Sequence, residues 1–187
     1  MCRSWSRLGP IPPIGGRDVM QPSRMSEDEF VATFGDIFEH TPQIARIAHQ
    51  RGLAATQDTA HGLHQALVSV MRDMDRGAKL ALINAHPDLA GRLALAKELT
   101  ADSTKEQGSA GLDQLTPDEL NTFSTLNDAY KARFGFPFIM AVKGATKDEI
   151  LSAFKRRIAH DVDTEFAEAL TQIERIALLR LKDRLPA

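Results

Sequence analysis

The sequence predicts an all-α fold: a single compact multi-helix bundle of about seven to nine helices. Three observations lead there. Apolar residues recur at three- and four-residue spacing along nearly the whole stretch from Ser26 to Arg184. Helix-start signals, a Ser or Thr followed three residues later by Glu, open one segment after another. The most apolar run, Phe134 to Val142, is broken by Gly135 and Pro137 and has no partner strand, so a lone strand there would leave its backbone groups unpaired.

Taken in order, Ser26 and Glu29 form a capping box, and Phe30, Phe34, Ile37 and Phe38 follow at helical spacing. A short helix is expected from Pro42 to Arg51. The next carries Leu63, Leu67, Val70, Met71 and Met74 on one face. After Gly77, Leu80 and Ile83 mark another, which Pro87 ends because the residue before a proline avoids the α region. A helix is expected around Leu89–Leu99. Thr116-Pro117-Asp118-Glu119 combines an N-cap, a first-turn proline and acids at the positive end of the dipole, and its helix runs to about Arg133. Phe134–Val142 reads as an extended connector. Thr146 and Glu149 cap a helix through Ile150, Phe154 and Ile158, and the last helix runs from near Thr164 to Arg184.

Composition narrows the function classes. The 187 residues are 43% hydrophobic and 26% charged, with a formal net charge of −2. That balance suits one soluble globule and lacks the basic stripe of a nucleic-acid-binding protein. The one cysteine, Cys2, makes neither an internal disulfide nor a cysteine-based zinc site. No apolar run approaches the roughly 20 residues that span a bilayer. A cytoplasmic protein with no nucleic-acid or membrane partner is the expectation. Residues 1–24, dense in proline and glycine, read as a flexible tail, and 25–187 as the helical domain.

Three polar positions stand where the pattern does not require them. Pro87 forces His86 out of helix geometry at a junction between helices, where a histidine can exchange protons near neutral pH. A loop histidine that only bonds locally fits the same spacing. Ser103-x-x-Glu106-Gln107 brings a hydroxyl, a carboxylate and an amide together, a set suited to a small heterocycle rich in hydrogen-bonding groups. It also reads simply as a capping box. Arg180 falls on the stripe of Phe166, Leu170, Ile173 and Ala177. There it is either a snorkelling side chain or a bidentate clamp on a planar anion. His61 and His64 lack a third ligand for a metal, and Lys155-Arg156-Arg157 reads as a solvated face. No phosphate-binding glycine loop and no G-x-S-x-G is present.

These segments together resemble one family. His86-Pro87-Asp88-Leu89-Ala90-Gly91, Ser103-x-x-Glu106-Gln107, Ala110-Gly111-Leu112, Leu126-Asn127-x-Ala129-Tyr130 running into Phe134-Gly135-Phe136-Pro137-Phe138-Ile139, and Leu179-Arg180-Leu181 are similar to the 2-oxo-4-hydroxy-4-carboxy-5-ureidoimidazoline (OHCU) decarboxylases of urate breakdown. The resemblance spans residues 26–184. It implies an all-helical homodimer that uses no cofactor and no metal, and that converts the small ureidoimidazoline to (S)-allantoin with loss of CO₂. By position it implies catalytic roles for His86, Glu106 and Arg180. It implies substrate contacts from Pro87, from Ser103, Thr104, Lys105, Glu106 and Gln107, and from Phe138, Ile139, Met140, Ala141 and Val142. Thr41-Pro42-Gln43-Ile44 departs from the family pattern, having no aromatic after the proline. Two other readings of the residues stay open: a helical binding module without catalysis, and a lyase or hydrolase of another ureido compound.

Overall fold

The structure, a computed structural model, describes residues 20–90 and 99–186. Most of the helix expected around Leu89–Leu99, and the tail before Met20, lie outside those residues. Among the described residues there are eight α-helices, two short 3-10 turns and no strand. The helices are α1 (Glu27–Phe34), α2 (Pro42–Gln50), α3 (Ala60–Asp73), α4 (Arg76–Asn84), α5 (Ala101–Ser109), α6 (Pro117–Phe134), α7 (Lys147–Arg157) and α8 (Val162–Arg184). None is long and apolar enough to cross a membrane.

The caps explain most boundaries. Capping boxes open α1 at Ser26, α6 at Thr116 and α7 at Thr146, each worth about 1 kcal/mol. Gly135, at φ 77°, adopts the left-handed conformation that ends α6. Two helix starts differ from expectation. α8 begins earlier than Thr164, because the Asp161 carboxylate accepts the Thr164 N–H at 2.9 Å. α5 begins at Ala101, because Thr100 supplies the cap. The 3-10 turn Pro22–Arg24 lies within the stretch read as tail; Ser23 ties it down, donating from N and Oγ to Asp58 at 2.8 and 2.9 Å.

α8 lies along α3, and α1 packs on α2. Gly62 makes a close approach possible, since a Cβ there would sit 1.7 Å from the Thr56 carbonyl oxygen. Phe30, Phe34, Leu63 and Leu67 fill one half of the core, while Phe123, Tyr130, Phe138 and Phe154 fill the other. Burying each such ring contributes roughly 2–3 kcal/mol. The connector after α6 has no helix or strand, as expected, and its apolar residues Phe136, Phe138, Ile139 and Val142 are buried. The solvated face expected at Lys155-Arg156-Arg157 holds for the first two only. Arg157 is buried, because it shares the inward stripe of Ile150, Ala153 and Phe154.

Candidate active site

Four distant parts of the chain converge on one cleft of about 340 Å³, counting its open side. The loop after α4 brings His86, α5 brings Ser103 and Glu106, the connector after α6 brings Phe138 and Ile139, and α8 brings Arg180. α5 can do this because Ser103, Glu106 and Gln107 stand at helical spacing on one face.

His86 is 7% exposed. Its Nδ1 lies 2.9 Å from the carbonyl oxygen of Leu82, one helical turn back. A carbonyl only accepts, so Nδ1 carries the proton and Nε2 presents a lone pair. That Nε2 is buried and has no hydrogen-bond partner among the described residues. Burial is the main influence on the ring and lowers its pKa to about 4; Glu39 pulls the other way. The imidazole is therefore neutral at physiological pH, with the Nε2 lone pair unprotonated.

Arg180 is 4% exposed, so it does not snorkel. Its fork holds the Glu106 carboxylate, Nε to Oε1 at 2.7 Å and Nη2 to Oε2 at 2.9 Å. The planar anion in the clamp is thus one of the protein's own. Nη2 also donates to Glu39 Oε1 at 2.8 Å. Burial alone would lower the Arg180 pKa, but Glu106 and Glu39 outweigh it and raise it.

Glu39, in the loop after α1, is a site residue that the sequence pattern did not disclose. It is 1% exposed. Its Oε1 accepts from Arg180, from Thr100 Oγ1 at 3.0 Å and from Ser103 Oγ. Burial pushes its carboxyl up, yet Arg180 and the Ser103 hydroxyl hold it below the usual range. Ser103 is therefore no N-cap. With Thr100 capping α5, Ser103 sits one turn in and faces the interior. Glu106 is correspondingly a partner of Arg180 rather than half of a capping box.

The other expected residues divide. Pro87, Gln107, Met140 and Val142 line the cleft. Gln107 also pins the His86 loop, its Oε1 accepting the Ala90 N–H at 2.9 Å. Ala90 stands there at φ 51°. Thr104 is exposed and bonds back to Thr100 O. Lys105 is exposed and faces Asp183 across a neighbouring cleft. Ala141 is buried and gives its N–H to Gln172 Oε1 at 3.0 Å. Among the described residues, no group of three His, Cys, Asp or Glu is placed to hold a metal ion.

The model of the family described as OHCU decarboxylase matches residues 23–182. A 2-oxo-4-hydroxy-4-carboxy-5-ureidoimidazoline decarboxylase from Haloferax volcanii is 41% identical over 166 residues, covering 89% of this chain and 95% of that protein. Among solved structures, a crystal structure of (S)-allantoin synthase aligns with TM-score 0.70 and 30% identity over 88% of this chain; the match spans 52% of that longer chain. A structure of OHCU decarboxylase in the presence of (S)-allantoin shares the fold, with TM-score 0.63 and 22% identity over 84% of this chain and 97% of that one.

Proposed function

Since this chain belongs to the OHCU decarboxylase family, we propose that His86 is the proton-transfer group of an enzyme that removes CO₂ from 2-oxo-4-hydroxy-4-carboxy-5-ureidoimidazoline and delivers (S)-allantoin in urate catabolism. The observation that carries the role is the unpartnered, buried Nε2 of His86, a residue that lines the cleft.

The substrate's chemistry sets the tasks. The bond between ring carbon and carboxylate breaks, CO₂ departs, and the electron pair passes into the adjacent ring imine. The hydroxyl on the same carbon gives up its proton and becomes a carbonyl. The neighbouring carbon, which bears the ureido group, gains a proton, and the former imine nitrogen takes up another. From the carboxylate anion the sum is one proton consumed per CO₂ released. The imine serves as the electron sink, a task many enzymes give to a cofactor. What the protein supplies is placement and proton handling. His86 Nε2 accepts the hydroxyl proton and returns one to carbon from a single side, which sets the hand of the product. Glu106 accepts ring or ureido N–H groups, held in place by Arg180. Arg180 also brings positive charge to the edge of the cleft where negative charge develops. Phe138, Ile139 and Val142 exclude water and strengthen these interactions. Family membership further supports a cytoplasmic location and a homodimer, the latter tested by light scattering on the purified chain.

The experiment is circular dichroism of product from substrate generated freshly out of urate, with and without the protein. The expected result is (S)-allantoin formed faster than spontaneous decay yields racemate. An identical signal in both samples removes the reading and favours a non-catalytic helical module.

A further inference from the structure

A second buried charge cluster lies behind the cleft wall and takes no part in the chemistry above. Glu165 is fully buried and Arg157 is 2% exposed. Arg157 Nε donates to Glu165 Oε1 at 2.9 Å, and Nη2 donates to the same oxygen. Tyr130 gives its hydroxyl proton to Oε1, and His160 Nδ1 stands 2.8 Å from Oε2. One guanidinium nitrogen remains. Nη1 leaves the cluster and donates to the carbonyl of Ile139 at 2.7 Å. The guanidinium carbon also lies 4.4 Å from the centre of the Phe138 ring, which stacks on Phe154 at 3.7 Å. Phe138 and Ile139 line the cleft.

We infer that Arg157 is a positioning residue for the reaction: it holds the Phe138–Ile139 wall at the distance and tilt that orient the substrate for one-sided protonation. The inference rests on the decarboxylase reading above. Its physical basis is what nothing else at that spot supplies. A buried ion pair is a weak source of stability, because apolar residues of equal volume often do as well. The Ile139 carbonyl is different. It sits in a buried segment with neither helix nor strand to satisfy it. Arg157 reaches it only because a guanidinium offers one edge to a carboxylate and a further N–H beyond. Lysine would have to choose between Glu165 and Ile139. On the far side of the wall, Gln172 takes the Ala141 N–H, so the wall is anchored at two points from α7 and α8.

The test is Arg157→Lys in the full chain. It reads kcat, KM, melting temperature and the enantiomeric excess of allantoin, extrapolated to enzyme concentrations at which spontaneous decay is negligible. Expected are a kcat lower by about 10-fold to 100-fold and a reduced enantiomeric excess. A folded variant with wild-type kcat and enantiomeric excess, whatever its melting temperature, overturns the inference and leaves only a structural ion pair. Should Arg157→Lys not fold, Tyr130→Phe removes a single hydroxyl from the cluster. Its expected effect is about threefold on kcat, with a measurable loss of enantiomeric excess; wild-type values overturn the inference equally. A wild-type protein giving racemate at the spontaneous rate overturns the function reading and this one with it. An active wild type beside an unchanged variant overturns this one alone.

Discussion

The Glu106 carboxylate lies in the fork of Arg180, with both oxygens engaged at 2.7 and 2.9 Å. Two residues 74 positions apart in the chain thus meet as a planar, bidentate pair at the cleft wall. A clamp for a substrate anion was one reading of Arg180 from its place on the helix. The structure fills that clamp with Glu106, and Glu39 occupies the remaining edge. On the proposed reading, Arg180 acts first by fixing Glu106 as an acceptor for the substrate.

Arg180→Lys tests that geometry. An ammonium keeps the charge but cannot serve Glu106 and Glu39 in one plane. The expected outcome is a folded protein with kcat/KM lower by about 10-fold to 100-fold. Arg180→Ala leaves the buried Glu39 carboxylate and the half-buried Glu106 carboxylate without this cation, at a cost of about 3–5 kcal/mol in urea unfolding. Full activity in the lysine variant would show that the fork is dispensable.

Glu39→Gln tests the second carboxylate. Glu39 favours the protonated form of His86 through space. Removing the charge makes His86 a weaker base, so the acid limb of the kcat/KM profile moves to lower pH and the plateau falls about threefold. Glutamine still offers an oxygen to Thr100 and Ser103, so melting changes report the lost pair with Arg180 separately. A profile superimposable on wild type would sever Glu39 from the proton chemistry.

The helices were legible because their signals are local. Ser26, Thr116 and Thr146 announce their own helices within three residues. Arg180 stood out because a charge on an apolar stripe is costly. The same logic applied to Arg157, which follows Ile150, Ala153 and Phe154 at helical spacing. Its exposed neighbours Lys155 and Arg156 masked it. Ser103 and Glu106 matched a capping box, while the true cap, Thr100, stood three residues upstream. Glu39 left no periodic trace. It sits in a loop, and its partner Arg180 is 141 residues away, a distance over which sequence spacing carries no geometry.

Thr116→Ala separates stability from catalysis. Thr116 Oγ1 accepts the Glu119 N–H at 3.3 Å, and Glu119 returns a bond to the Thr116 N–H at 2.8 Å. Neither residue lines the cleft. The variant should lose about 1 kcal/mol of unfolding free energy and keep wild-type kcat. A matching fall in kcat would mean that the start of α6 is coupled to the connector at its other end.

His86 gives the protein a pH-dependent stability whose sign follows from its burial. Folded, the ring titrates at about 4; unfolded, at its ordinary value of 6.5. Between those values the unfolded chain binds the extra proton, so stability rises with pH there. The contribution is complete above pH 6.5, shrinks as pH falls, and is gone near pH 4. Its full size is about 3 kcal/mol. His86→Asn cannot take up the proton, so its urea midpoint should vary less than wild type's across this window. The same substitution removes the base and should lower kcat by about 10²-fold to 10⁴-fold. Wild-type kcat/KM should hold down toward pH 5, because the neutral form persists where a free histidine would already be charged. Parallel stability profiles for the two proteins would mean that the ring is hydrated rather than buried, and an acid limb near 6.5 would say the same of the active enzyme.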